Sequence, residues 1–250
     1  MNKLIRLADQ GKLPDALIRL GIRFLDYQRL GAQGKGGLEG QLQRKRHLLR
    51  QMKESPVAVD ADKANTQHYE LPPAFFQQVL GRHLKYSGCY WPQGTKTLDA
   101  SEARALELVG QRAELNDGMR ILELGCGWGA FSIWAATRFS RSRITAVSNS
   151  ASQREFIEVQ CRQQKISNLE VVTADMNRFK PQGQFDRIVS IEMFEHMRNW
   201  ELLLARMAAW LKEDGRVFVH IFAHKEAAYL YEVTAEDDWM GRYFFTGGIM

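Results

Sequence analysis

A chain of 250 residues with 45% apolar content is long enough for one filled domain plus an added element, so it needs no covalent staples. Its three cysteines, Cys89, Cys126 and Cys161, are odd in number and widely spaced, which excludes a disulfide framework or a zinc site by spacing; no metal is expected. Nowhere does the chain approach the ~18 uncharged residues of a membrane span, and a cytoplasmic protein in a reducing compartment is expected. The net charge of +5 is unevenly placed: residues 1–55 hold 12 Lys/Arg against 5 Asp/Glu, leaving 22 against 24 in the remainder. A basic segment of this kind is either a solvated helix face or a contact with an anionic membrane surface. No aromatic-interleaved signature accompanies it, so no nucleic-acid partner is expected.

In chain order, three helices are predicted first: Lys3 to Gln10, Pro14 to about Gln33, and about Leu38 to Glu54. Pro14 suits a first helical position. In the second helix Leu17, Leu20 and Phe24 form one stripe, and Ile18, Ile22 and Leu25 a neighbouring one, so a broad apolar face is expected to dock on something. Gly34, Gly36 and Gly37 break the helix, and Ser55 to Asn65 reads as a polar linker. The predicted division is a helical extension over 1–65 and a ligand-binding domain over 66–250.

From Arg120 the pattern changes to apolar runs at Ile121 to Leu124, Ile144 to Val147, Leu169 to Thr173, Arg187 to Ile191 and Val217 to Phe222. Helical stretches at Ala130 to Phe139, Ala151 to Lys165 and Leu202 to Leu211 alternate with them. That alternation predicts an α/β, Rossmann-like fold: a parallel sheet covered on both faces.

The first of these strands runs into Gly125-Cys126-Gly127-Trp128-Gly129, where small residues let backbone approach a ligand and free N–H groups face it. With Ala130 the loop also satisfies G-x-G-x-x-G/A, the dinucleotide fingerprint. A nicotinamide site expects an acid about 20 residues on to hold the ribose, but Val147-Ser148-Asn149-Ser150 stands there. The acids in this neighbourhood are instead Glu123, before the first glycine, and Asp175, after the third strand. A loop aspartate that caps the next turn is one reading of Asp175.

Beyond the fourth strand, Glu192, Glu195 and His196 are spaced by three and four residues, which puts them on one side if a helical turn begins there. A carboxylate can orient an imidazole and raise its basicity, so the cluster suits deprotonation of an acceptor. The bland alternative is a capped first turn with a structural histidine.

Several blocks recur together: His68-Tyr69-Glu70-Leu71-Pro72, Tyr86-Ser87-Gly88-Cys89-Tyr90-Trp91, Ile121 to Gly129, Phe185 to Met197, and His224-Lys225 with Glu236-Asp237-Asp238-Trp239. In this order they resemble the cyclopropane-fatty-acyl-phospholipid synthase and coclaurine N-methyltransferase-like superfamily of class I S-adenosylmethionine-dependent methyltransferases. The resemblance implies S-adenosyl-L-methionine as cofactor. It implies that Tyr86 and Ser87 reach over it, that Glu123 and the loop Gly125, Gly127 and Gly129 cradle it, and that Ser148, Asn149 and Gln153 flank its ribose and adenine. Asp175, with Met176 and Asn177, would border the adenine, and Glu192, Glu195 and His196 would be catalytic.

Cyclopropane synthases of the superfamily typically show glycine where Glu192 stands and cysteine where Gly88 stands. Both departures favour transfer to an amine of a small molecule, and methylation of an unsaturated lipid is the second reading, suited by the basic N-terminus. A catalytically silent cofactor-binding protein is the third. The flanking Phe75, Phe76, Tyr90, Trp91, Trp239, Tyr243 and Phe244 either line the acceptor pocket or pack. Folds of this class ordinarily carry seven strands; five are predicted here, so C-terminal strands are expected to be missing. The open edge near Val217 to Phe222 would favour a homodimer.

Overall fold

In a computed structural model of the chain, residues 3–59, 71–233 and 238–250 are described. His68, Tyr69 and Glu70, the expected linker residues 60–65 with the 65/66 domain boundary, and Glu236 and Asp237 lie outside them. Three helices lead: α1 (Lys3–Asp9), α2 (Asp15–Gly34) and α3 (Gly37–Glu54), with α4 (Pro73–Val79) and α5 (Leu98–Arg112) preceding the sheet. Strands β1 (Arg120–Leu124), β2 (Arg143–Ser148), β3 (Leu169–Thr173), β4 (Phe185–Ile191) and β5 (Leu211–His220) alternate with α6 (Ala130–Arg138), α7 (Ala151–Gln164) and α8 (Trp200–Trp210). A short α9 (Trp239–Tyr243) follows.

All four strand pairings are parallel, in the order β3-β2-β1-β4-β5. Successive strand residues face opposite sides, and this divides the core in two. Ile121, Ile144 and Val189 pack with Leu106 and Val109 of α5 and Phe131 and Ala135 of α6. Leu122, Leu124, Val147 and Ile188 pack on the other face with Leu203 and Met207 of α8. The chain leaves β1 for β2 on one side, while β4 flanks it on the other. The crevice this reversal opens at the carboxyl ends is where open α/β sheets bind ligands.

Several expectations need correction. Pro14 is the N-cap residue of α2 rather than its first helical residue, with ψ at 142°. Ser55 to Val59 does not behave as a linker: Val57 is 1% exposed and Ala58 bridges Met197. The Asn199 amide donates to the carbonyls of Lys53 and Ser55, tying the end of α3 to the start of α8. The broad face of α2 is not docked among the described residues; Leu17, Leu20 and Phe24 are exposed and the helix buries no residue. β5 begins earlier than expected and ends at His220, because Phe222 N–H is taken by the Glu195 carboxylate instead of a neighbouring strand. Helices α4 and α5 had no counterpart in the sequence reading. α5 is capped by Thr97 Oγ1, which accepts from Ala100 N. β5 pairs with β4 alone among the described residues, so it forms an edge.

No described helix is long and apolar enough to cross a membrane. Among the described residues no group of three His, Cys, Asp or Glu side chains could hold a metal ion.

Candidate active site

The glycine loop leaves β1 with its N–H groups turned along the sheet end: Gly125 N and Cys126 N both donate to Val147 O of β2. The three glycines then do different work. A Cβ on Gly125 would lie 2.8 Å from Met193, and one on Gly129 would lie 2.7 Å from Ile157 of α7, so those two permit close packing of elements. Gly127, at φ 52°, would meet nothing within 4 Å and faces the cleft, which leaves it free for close approach of a ligand.

Two adjoining cavities flank this loop. One is lined by Gly125, Gly127, Ser148, Asn149, Gln153 and Met176, among others. The other, with roughly 1160 Å³ of open space, is lined by Tyr86, Ser87, Glu123, Trp128, Phe222 and Phe245, among others. Glu192 and His196 line both.

In the first cavity Ser148 Oγ donates to Gln153 Oε1 at 2.6 Å and accepts from Ser150 N, which places Gln153 at the start of α7 with 2% exposure. Its Nε2 has no hydrogen-bond partner among the described residues. A buried donor without an acceptor, beside a glycine with empty space in front of it, is the imprint of a polar ligand. An adenosyl group, with ribose hydroxyls and ring nitrogens, fits that demand.

Asp175 and Asn177 do not line the cleft. Asp175 accepts from Asn177 N at 2.9 Å, an aspartate turn of the bland kind, and Asn177 is engaged with Ala58 N and O. Met176 between them does face the cavity.

Glu123 alternates with Leu122 and Leu124, and so points to the α6 face, where Ser132 Oγ donates to it. It is 2% exposed, and burial raises its carboxyl to about 7.

The cluster after β4 is split by its backbone. Glu192 adopts a left-handed φ of 49°, a strained conformation for a non-glycine residue, and its N–H extends the sheet ladder to His220 O. The turn that follows, Phe194–His196, is a single 3₁₀ turn. It brings Glu192 and His196 to the cleft but sends Glu195 behind the wall. Glu195 is 1% exposed, its Oε1 accepts from Phe222 N at 2.7 Å, and burial raises it to about 7. Glu192 and His196 share the cleft side and Glu195 does not, because Glu192 precedes the turn in a left-handed conformation and only Phe194–His196 lie within it, so no continuous helix relates the three.

Of the flanking aromatics, Phe244 lines the cleft with Phe245 and Phe222. The His196 ring lies 5.6 Å from Phe245, which stacks on Tyr231. Phe76 is buried against Trp128 and Tyr86. Phe75, Tyr90, Trp91, Trp239 and Tyr243 are exposed and outside the lining. Two residues unremarked in the sequence, Lys85 and Glu102, are fully buried charges beside the cleft, with Lys85 on its lining. A charged side chain in an apparently amphipathic stretch reads as a solvated face, so only tertiary contact reveals them.

Residues 58–250 match the Mycolic acid cyclopropane synthetase family. The chain is 39% identical over 248 residues to (S)-coclaurine N-methyltransferase of Thalictrum flavum subsp. glaucum, covering 99% of this chain and 69% of that one. It is 30% identical over 186 residues to the cyclopropane-fatty-acyl-phospholipid synthase of Escherichia coli (strain K12), covering 74% and 46%. The crystal structure of a coclaurine N-methyltransferase bound to N-methylheliamine and S-adenosylhomocysteine superimposes with a TM-score of 0.93 at 35% identity, over 99% of this chain and 72% of that one. The glycine loop at the end of β1, the parallel sheet and these likenesses agree: the chain belongs to the mycolic acid cyclopropane synthetase family and is an S-adenosylmethionine-dependent methyltransferase.

Proposed function

We propose that the chain transfers a methyl group to the nitrogen of a small-molecule amine. The observation that carries this reading is the presentation of Glu192, in a strained backbone conformation, together with His196 on the wall shared by both cavities. The cofactor would be held by the glycine loop, Tyr86 and Ser87, with Ser148, Asn149, Gln153 and Met176 around its ribose and adenine. S-Adenosylmethionine supplies the electrophilic methyl group.

The protein's own contribution begins with the acceptor. A protonated amine carries no lone pair, so its proton must leave before the nitrogen can attack in line. His196 receives that proton, and the Glu192 carboxylate on the same cavity wall balances the imidazolium. The aromatic wall of Phe222, Phe244 and Phe245 excludes water and presses the acceptor toward the methyl group, which is catalysis by positioning. Glu195 acts from behind, holding Phe222 in that wall through its main-chain N–H. In this reading residues 1–65 form an extension to the methyltransferase domain of residues 66–250.

The relatives' names, coclaurine and pavine N-methyltransferases, support an amine acceptor. A lipid acceptor has one observation on its side, the exposed Leu17, Leu20 and Phe24 interleaved with Arg19 and Arg23 on α2. The deciding experiment offers labelled S-adenosylmethionine with a panel of cyclic secondary amines and, separately, with vesicles of cis-unsaturated anionic phospholipid. Label in an amine product establishes the proposal. Label only in lipid, with co-sedimentation of the chain on the vesicles, replaces it.

A further inference from the structure

The segment 81–88 belongs to no helix or strand, lines the second cavity with residues 84–87, and is held at both ends by buried charge. At its stem the carboxylate of Glu102, fully buried on α5, accepts from three main-chain donors: Gly81 N at 2.9 Å, His83 N at 2.8 Å and Lys85 N at 3.2 Å. At its tip the Lys85 side chain, 3% exposed, turns back on its own chain. Its Nζ donates to Ser87 O at 3.0 Å, Ser87 Oγ at 2.8 Å and Gly88 O at 2.7 Å. An ammonium has three protons, and all three are used. Between stem and tip Leu84 sits at φ 52°, a left-handed conformation that a branched residue keeps only when its surroundings hold it there.

A lysine is an expensive way to fill that volume, since burying an ammonium costs far more than burying a methionine. Burial lowers the Lys85 pKa from its ordinary value, and the nearby Cys89, Glu192, Glu102 and Glu123 oppose that shift. With every proton committed to the turn, Lys85 has none left to offer a ligand directly. We propose that Lys85 is a positioning residue, whose ammonium holds the Tyr86-Ser87-Gly88 turn in the shape that meets the cofactor, with Glu102 anchoring the stem of the same segment. The proposal rests on the reading that Tyr86 and Ser87 cover the cofactor.

The test replaces Lys85 with methionine, which keeps the volume and removes the three donors. S-Adenosylhomocysteine binding is measured by calorimetry, KM for S-adenosylmethionine and kcat by methyl transfer to an accepted amine, and the unfolding midpoint by circular dichroism. Lys85→Met raises Kd and KM at least about tenfold, leaves kcat at saturating cofactor within about threefold, and shifts the midpoint by only a few degrees. A role confined to folding would instead move the midpoint and leave Kd and KM at their wild-type values. Should Lys85→Met fail to fold, Glu102→Gln and Ser87→Ala carry the test. Each must weaken binding on its own, and their wild-type affinity would overturn the proposal. Wild-type affinity in Lys85→Met overturns it alone, whereas absence of binding by the wild-type chain overturns the cofactor reading and this proposal with it.

Discussion

The two sides of the cleft are built on different plans. The cofactor side is made from neighbours in sequence: the loop from Gly125 to Gly129 and the stretch from Ser148 to Gln153, at the ends of paired strands β1 and β2. The loop N–H groups of Gly125, Cys126 and Gly129 are engaged within the chain, and Gly127 leaves the open approach. The acceptor side collects single side chains from three separate places: Glu192 with His196, Phe222, and Phe244 with Phe245. A binding surface made of backbone tolerates little substitution at its glycines, whereas one made of side chains is retuned one residue at a time. Under the proposed function the first side binds the cofactor and the second takes up the acceptor.

The largest effect expected from this division is at Gly127. Gly127→Val places a branched side chain at φ 52° in the open cleft, and S-adenosylhomocysteine affinity should fall at least about 100-fold, or roughly 3 kcal/mol. Calorimetric titration checks this, and retained binding would move the cofactor away from the loop. Next come Glu192→Gln and His196→Ala, expected to lower kcat by about 10²- to 10⁴-fold while leaving S-adenosylhomocysteine Kd within a few-fold of wild type. A loss of binding equal to the loss of rate would erase the distinction between the two sides.

Glu195→Gln should be milder in rate and informative in pH. Because burial raises the folded carboxyl to about 7, above its unfolded value of 4.5, the folded state keeps a proton the unfolded state has lost. The stability this provides is complete below the unfolded value and is lost as pH rises through about 7. The unfolding midpoint of Glu195→Gln should therefore fall less than that of wild type between about pH 5 and pH 8. Equal slopes would mean that Glu195 is ionised in the folded chain near its ordinary pH. The smallest effect is at Asn177→Ala, which removes the two bonds to Ala58. It should cost about 1–2 kcal/mol of stability by denaturant titration, with cofactor affinity unchanged; a drop in affinity would return Asn177 to the binding surface.

What could be read from the chain alone follows the same division. The strands β1 to β4 and helices α6 to α8 announce themselves because burial on both faces of a parallel sheet demands continuous apolar runs, and these alternate with helical periods. The glycine loop is legible because its residues are contiguous and their spacing is itself the signal. α4 and α5 were missed: α5 mixes Glu102, Arg104 and Glu107 into its apolar pattern, and its buried Glu102 looks like any surface acid until the segment 81–85 is folded over it. After β3, Asp175 is bonded within a turn to Asn177, which also binds Ala58, a local arrangement that the sequence does not distinguish from a cofactor contact.

The sequence by itself determined the parallel α/β architecture and the glycine loop at the end of its first strand, because each depends on local pattern or on residues within one short segment. Tertiary structure alone decided that Glu195 stands behind the wall, that Val57 and Ala58 are core rather than linker, that Lys85 and Glu102 are buried, and that α2 keeps its apolar face exposed. Those outcomes depend on which distant segments meet, and burial, unlike periodicity, is a property of the contact and not of the chain.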